Sequence, residues 1–341
     1  MGKANRPCIF LAKTGILAAY SLPAMFEVQK LPKLVVLLGP TASGKTDWSL
    51  RLAKKFNGEI ISADSRQIYE QMDIGTAKVK GEWRWNGLRK TYYVDDVPHH
   101  LVDFLNPGKI FTVAEFRDKA LKYTKLAYKE GRVPMIVGGT GLYISAVVDN
   151  FTIPRVAPNK KLRKSLSEKN SRELMALLEK LDPAAAGIVD KNNKRRIVRA
   201  LEVCILTGER FSEQRKKGDC LFDILEIGID VPREVLYQRI NDRVDAMLHA
   251  GLLKEVEGLL KQKYGWELPS MNGIGYRQLR DYFEDSMTLA EATGLLKRDT
   301  RRYARRQLTW FRRDPRIKWC RKYEEAEQLA VEFLGEHTGV H

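Results

Sequence analysis

Eight consecutive residues carry the most specific chemistry in this chain. Gly39, Pro40, Thr41, Ala42, Ser43, Gly44, Lys45 and Thr46 read G-x-x-x-x-G-K-[ST], a spacing that folds backbone N–H groups into a ring around a phosphate. The two glycines free the backbone for that ring, and Lys45 reaches the outer phosphate oxygens. The Thr46 hydroxyl can ligate Mg²⁺, and a helix starting there adds partial positive charge. The second feature is Asp64, followed by Ser65, Arg66 and Gln67. An aspartate at a strand end is ordinarily a cap or turn residue; beside a phosphate loop it is also a candidate general base. The third is Gly138-Gly139-Thr140-Gly141, where the missing side chains let backbone approach a ligand closely.

These residues need elements to hold them. Residues 34–38 (LVVLL) read as a strand buried on both faces, and they run straight into the phosphate loop. A helix over 46–56 follows, with Trp48, Leu52 and Phe56 on one face. Residues 59–63 form a second strand that delivers Asp64 to the carboxyl end of the sheet, where open parallel sheets bind ligands. A third strand, 133–137, ends in the glycines and carries no acid there, which argues against nucleotide-hydrolysing motors and switches. Residues 224–229 supply a further strand, and the rest of the C-terminal part reads as helical. The fold class is α/β: a P-loop NTPase-like core, its parallel sheet flanked by helices, plus a small all-α insertion domain.

Of 341 residues, 59 are basic and 43 acidic, a net charge of +16, and 44% are hydrophobic. That composition buries a core and points to a polyanionic partner, nucleic acid before membrane. The charge is clustered. Residues 151–217 carry 17 Lys/Arg against 8 Asp/Glu and read as helices over 160–168, 171–180 and 192–207. Residues 297–322 carry 12 against 2. There Arg298, Arg301, Arg302, Arg305 and Arg306 fall on one helical face, while Thr300, Tyr303, Ala304, Gln307, Leu308 and Phe311 fall on the other. The expected divisions are 1–33, an N-terminal extension; 34–150, core; 151–217, basic helical insertion; and 218–341, core again with a basic C-terminal helix. Met25 is an alternative start within the extension. No run of 18 apolar residues occurs, so no membrane span is expected. Cys8, Cys204, Cys220 and Cys320 have neither disulfide-framework nor zinc spacing, which suits a reducing compartment, the cytoplasm. His99 and His100 read as buried structural residues.

Taken together, the words GPTASGKT (39–46), DSRQIYEQMDIGTA (64–77), HHLV (99–102), GGTGLY (138–143), RALEV (199–203), RVDAML (243–248), GLLKEV (251–256), GYRQ (275–278) and RQLTWFR (306–312) occur in one order. In this the chain resembles the tRNA dimethylallyltransferases, over about residues 34–320. The resemblance implies transfer of a dimethylallyl group from dimethylallyl diphosphate to N6 of adenosine 37 in tRNA, with Mg²⁺ as cofactor. It makes Asp64 the base. It places Thr41, Lys45, Thr46 and Arg243 on the diphosphate, Thr41 and Arg243 in catalytic roles, and Ser65, Arg66, Gln67 and Thr140 on the target nucleotide. Further tRNA contacts are expected at Arg163, Arg195, Arg199, Tyr276 and Arg277, with Tyr69, Tyr143 and Tyr276 as candidates to stack on bases. The implied partner is the anticodon stem-loop, bound by a monomer. Residues 81–96 make a longer connection than the bacterial pattern of the family. The zinc finger of its eukaryotic members is absent, which points to a bacterial-type enzyme.

Two other readings fit parts of the chain. A P-loop kinase acting on a small molecule explains residues 34–64 and leaves the basic clusters without purpose. A non-catalytic RNA-binding protein explains the charge and leaves Asp64 and the glycine loop idle.

Overall fold

Residues 31–87, 89–154, 156–214 and 217–335 are described by a computed structural model; the expected N-terminal extension lies outside them up to residue 30. The LVVLL run is a strand, β1 (Lys33–Leu38), and it leads through the phosphate loop into α1 (Lys45–Lys55) and β2 (Gly58–Ala63). A hairpin of β3 (Glu82–Asn86) and β4 (Arg89–Val94) precedes β5 (Val97–His100). Then come α2 (Val113–Lys129), β6 (Val133–Gly138) and α3 (Gly141–Val148). The insertion comprises α4 (Lys160–Glu168), α5 (Ser171–Leu181), α6 (Pro183–Ile188) and α7 (Lys194–Thr207). The chain returns as β7 (Asp223–Ile229), α8 (Arg233–His249), α9 (Leu252–Lys261), α10 (Arg280–Phe283), α11 (Leu289–Phe311), β8 (Lys318–Cys320) and α12 (Tyr323–Leu334).

The strands form one sheet in the order β3-β4-β5-β2-β6-β1-β7-β8. From β5 to β8 every pairing is parallel, and β4 and β3 add antiparallel strands at one edge. Alternation along β1 divides the core into two layers. Leu34, Val36 and Leu38 pack with Phe116 of α2 and Ile144 of α3, while Val35 and Leu37 pack with Leu52 of α1 and Ala326 of α12. This is the P-loop NTPase-like α/β core. The structure makes one correction here: the stretch after 229 is not all helix, because β8 extends the sheet beside β7. The connection at 81–96 is a hairpin.

The helices α4 to α7 enclose a cluster of their own, built on Leu166, Leu174, Leu178, Ile197 and Leu201. Each opens on an asparagine or aspartate side chain, Asn159, Asn170, Asp182 and Asn193, that accepts from a backbone N–H of its first turn. A third cluster joins α8, α9 and α11 to the stretch after β2 through Ile68, Met72, Val244, Val256 and Leu296. His99 and His100 are buried. His99 Nδ1 lies 2.9 Å from the Val97 carbonyl oxygen, and burial pulls its pKa down to about 4; His100 bonds the buried Glu59.

Candidate active site

Because β2, β6 and β1 are neighbours in the sheet, the loops at their carboxyl ends converge. With α8, α11 and the 272–277 loop they enclose a cavity of about 640 Å³, within the range of small-ligand sites. Lys45, Asp64, Thr140, Arg243, Tyr303 and Arg306 all line it. One side is apolar, formed by Ile240, Val244, Met247, Ile274 and Leu296.

The phosphate loop is a tight ring. Gly44 has φ +94° and Ala42 φ +63°, and the left-handed conformation at a non-glycine is a strained one held by its surroundings. Ala42 is held in a small cluster with Ala304, Leu236 and Ile240. Thr41, Ala42, Ser43, Gly44, Lys45 and Thr46 line the cavity; Gly39 and Pro40 shape the ring behind them. The Ser43 N–H donates to the Pro40 carbonyl, and a Cβ on Gly39 would sit 3.0 Å from Ser43 Oγ. Among the described residues the buried Ser43 hydroxyl has no hydrogen-bond partner, a state that a bound oxyanion would relieve. Lys45 Nζ donates to the Pro40 carbonyl at 2.6 Å. Burial lowers its pKa to about 8; Asp64 opposes that shift and Arg243 adds to it. The protein around Arg243 likewise pulls its guanidinium down, with Asp64 opposing.

Asp64 satisfies both readings of a strand-end carboxylate. Its Oδ1 accepts from the backbone N–H of Arg66 at 2.8 Å and of Gln67 at 3.3 Å, so it builds the turn. Among the described residues Oδ2 takes no donor, and the group lines the cavity with Lys45 and Arg243. Ser65, Arg66, Gln67, Thr140 and Arg277 also line it. Several of these side chains hold the loops as well. Thr140 Oγ1 accepts from the Ser65 N–H, Gln67 Nε2 donates to the Ala77 carbonyl, and Arg66 Nη1 donates to the Pro269 carbonyl. Arg277 reaches Asp299 of α11 at 3.4 Å.

Other expected residues lie elsewhere. Tyr276 is 1% exposed and its hydroxyl donates to Glu255, so the expectation that it meets tRNA is corrected: it is a core residue. Tyr143 is buried and stacked on Phe116, and Tyr69 is buried in the third cluster. The aromatic ring in the cavity wall is instead Tyr303, whose phenol burial raises to about 12, aided by Asp64. Arg163 and Arg199 are outside the cavity. Both bond the buried Glu202, Arg163 through Nε and Nη2 and Arg199 through Nη1, and Arg199 also donates to the Val156 carbonyl. These guanidiniums fasten the start of the insertion to α7. Arg195 is exposed on α7.

Two positioning side chains were given no role by the sequence reading. Glu255 of α9 accepts from the backbone N–H groups of Asp73, Ile74 and Gly75, which fixes the loop that brings Gly75, Thr76 and Ala77 to the cavity. Gln307 of α11 accepts from the Thr41 N–H at 2.9 Å and donates to the Gly139 carbonyl at 2.8 Å. Both lie inside quoted words, GLLKEV and RQLTWFR, but their partners are too distant in sequence to be inferred.

A family model described as IPP transferase matches residues 67–314, and one described as isopentenyl transferase matches residues 32–100. The chain belongs to the IPP transferase family. A relative from Carboxydothermus hydrogenoformans, named tRNA dimethylallyltransferase, is 45% identical over 315 residues, covering 90% of this chain and 98% of its own. One of that name from Bacillus cereus is 44% identical over 301 residues, 86% of this chain and 91% of its own. Among solved structures, the tRNA isopentenylpyrophosphate transferase of Bacillus halodurans superposes with a TM-score of 0.66 at 39% identity, covering 89% of this chain and 97% of its own. A eukaryotic dimethylallyltransferase acting on tRNA superposes with a TM-score of 0.70 at 26% identity, covering 88% of this chain and 77% of its own. The two family models together span residues 32–314, the stretch that carries the motif words and strands β1 to β7 of the core.

Proposed function

We propose that this chain transfers a dimethylallyl group from dimethylallyl diphosphate to N6 of adenosine 37 in tRNA. The observation that carries the reading is a single cavity that joins a phosphate ring, a carboxylate and an apolar wall. The diphosphate sits in the ring of residues 41–46, against Lys45 and Arg243. The five-carbon chain lies along Ile240, Val244 and Leu296. N6 then attacks the terminal carbon: the N–C bond forms, the C–O bond to the diphosphate breaks, and inorganic diphosphate leaves with the electron pair. The N6 proton passes to Asp64, whose Oδ1 is already tied to the turn. Fixed cations at the oxygens where charge develops favour the transition state over the ground state.

The oxygen donors at the ring suit Mg²⁺, a hard cation that is held largely by water and phosphate oxygens. Thr46 would hold it beside the diphosphate; among the described residues there is no cluster of three or more His, Cys, Asp or Glu that would suit a protein-only metal cage. When bound, the ion neutralises charge on the leaving group.

The acceptor is the anticodon stem-loop, whose unpaired bases leave the stack at low cost. The basic insertion and the exposed arginines of α11, Arg298, Arg302 and Arg305, grip its phosphates. The enzyme acts as a monomer in the cytoplasm; no described helix is long and apolar enough to cross a membrane.

The test incubates the protein with unmodified tRNA, Mg²⁺ and either labelled dimethylallyl diphosphate or γ-labelled ATP. Label enters tRNA from the first donor alone. Phosphate moving from ATP to a small acceptor, or tight tRNA binding without chemistry, sinks the reading.

A further inference from the structure

The phosphate ring and the Asp64 turn stand on separate strands, and a diphosphate held by one must meet a nucleobase held by the other. Strand pairing brings Leu38 and Ala63 to either side of Gly138, and beyond the strand ends one side chain bridges the loops. Gln307 is 6% exposed and spans the gap between the two glycine loops. Its Oε1 accepts from the Thr41 N–H at 2.9 Å and its Nε2 donates to the Gly139 carbonyl at 2.8 Å. The fit is close: a Cβ on Gly139 would lie 2.3 Å from Nε2. From Gly139 the connection continues locally, since Thr140 Oγ1 accepts from the Ser65 N–H at 3.1 Å, next to Asp64. One turn before Gln307 on α11, Ala304 packs in the cluster that holds Ala42.

The Thr41 N–H is therefore not offered to a phosphate; it is held by α11. Among neutral side chains an amide both donates and accepts through atoms at one fixed spacing. A carboxylate cannot donate here, and a hydrocarbon does neither.

We propose that Gln307 is a positioning residue for the transfer, setting the distance between the electrophile in the ring and the base at Asp64. The inference rests on the transferase reading above. A misplacement of about 1 Å between reacting groups costs on the order of 10²-fold in rate, so this brace bears on kcat. Binding of tRNA through the exposed arginines of the same helix does not need it.

The test is steady-state transfer to unmodified tRNA by wild type, Gln307→Leu and Gln307→Glu. Gln307→Leu loses both bonds, and its kcat is expected to fall about 10-fold or more, with KM for tRNA changed by less than about 3-fold. Gln307→Glu keeps the acceptor for Thr41 and regains a donor to Gly139 only when protonated, and burial raises the pKa of such a carboxyl. Its kcat relative to wild type should therefore climb as pH falls from about 8 to about 6. A role in folding alone would lower both variants by a factor independent of pH. Wild-type kcat in Gln307→Leu, or a ratio for Gln307→Glu that is flat with pH, overturns the proposal; if the leucine variant does not fold, the glutamate ratio decides. Transfer by wild type in the same assay separates the two failures. Its absence removes the transferase reading, and its presence beside unaffected variants removes only Gln307.

Discussion

With Oδ1 accepting from the Arg66 and Gln67 amides, Asp64 is oriented before any substrate arrives. A base held this way loses little entropy on meeting N6. Asparagine retains an oxygen at the turn and cannot take a proton. Asp64→Asn is therefore expected to lower kcat by roughly 10²–10⁴-fold, with a melting temperature near that of wild type. Asp64→Ala should show the same kinetic loss with a lower melting temperature. An intact kcat in the asparagine variant, read by labelled transfer to tRNA, would remove Asp64 from the mechanism. Lys45 gives a second expectation. Its pKa near 8 lies below its ordinary value, so in the free enzyme the cation is complete well below pH 8 and is lost above it. Binding of dimethylallyl diphosphate needs that cation, so kcat/KM for the diphosphate should fall as pH rises through about 8. Lys45→Arg, which stays charged, should lose this limb whatever its absolute rate; a limb that persists there would assign it to another group. The tyrosines show where residue types mislead. Tyr69, Tyr143 and Tyr276 stand inside motif words, yet each ring packs inward, because the hydrophobic demand of the clusters they join is not local. Tyr303 lines the cavity from the helical face opposite the arginine row.

Among the elements, β1, β2, β6 and the helix after the phosphate loop are legible because their signals are short-range: an apolar run, a glycine turn, a 3.6 periodicity. The hairpin of β3 and β4 is not, since its pairing depends on register with β5. The Arg163–Glu202–Arg199 network was not read from the sequence, although Arg199 and Glu202 are three apart on one helix. The loop 73–77 lies in one quoted word and its anchor, Glu255, in another about 180 residues on, with nothing in the sequence to join them. That carboxylate accepts three backbone N–H groups and the Tyr276 hydroxyl. Glu255→Ala leaves those donors unpaired, at about 1–3 kcal/mol for each that stays buried. The variant should unfold at lower urea concentration and lose transfer activity, and limited proteolysis should open first within 70–80. Equal urea midpoints for variant and wild type would mean that water replaces the carboxylate and the loop holds itself.

At the level of the whole molecule, +16 charges on one chain set how tRNA arrives and how tightly it stays. Arg302 and Arg305 are exposed on α11, on the helix whose inner face holds Gln307 and Tyr303, so one element carries both the grip on RNA and the wall of the site. Each phosphate contact releases condensed counterions, which adds about −0.7 to −0.9 to the slope of log affinity against log salt. Arg302→Ala with Arg305→Ala should therefore flatten that slope by roughly 1.4–1.8 and raise KM for tRNA. KM for dimethylallyl diphosphate should change little, because neither side chain lines the cavity. Filter binding of unmodified tRNA at a series of salt concentrations measures the slope directly. Unchanged slopes would place these arginines off the RNA and leave the insertion, with its exposed Arg195 and Arg196 on α7, as the face that meets it. Equal losses for both substrates would instead mean that the outer face of α11 transmits strain to the brace beneath it.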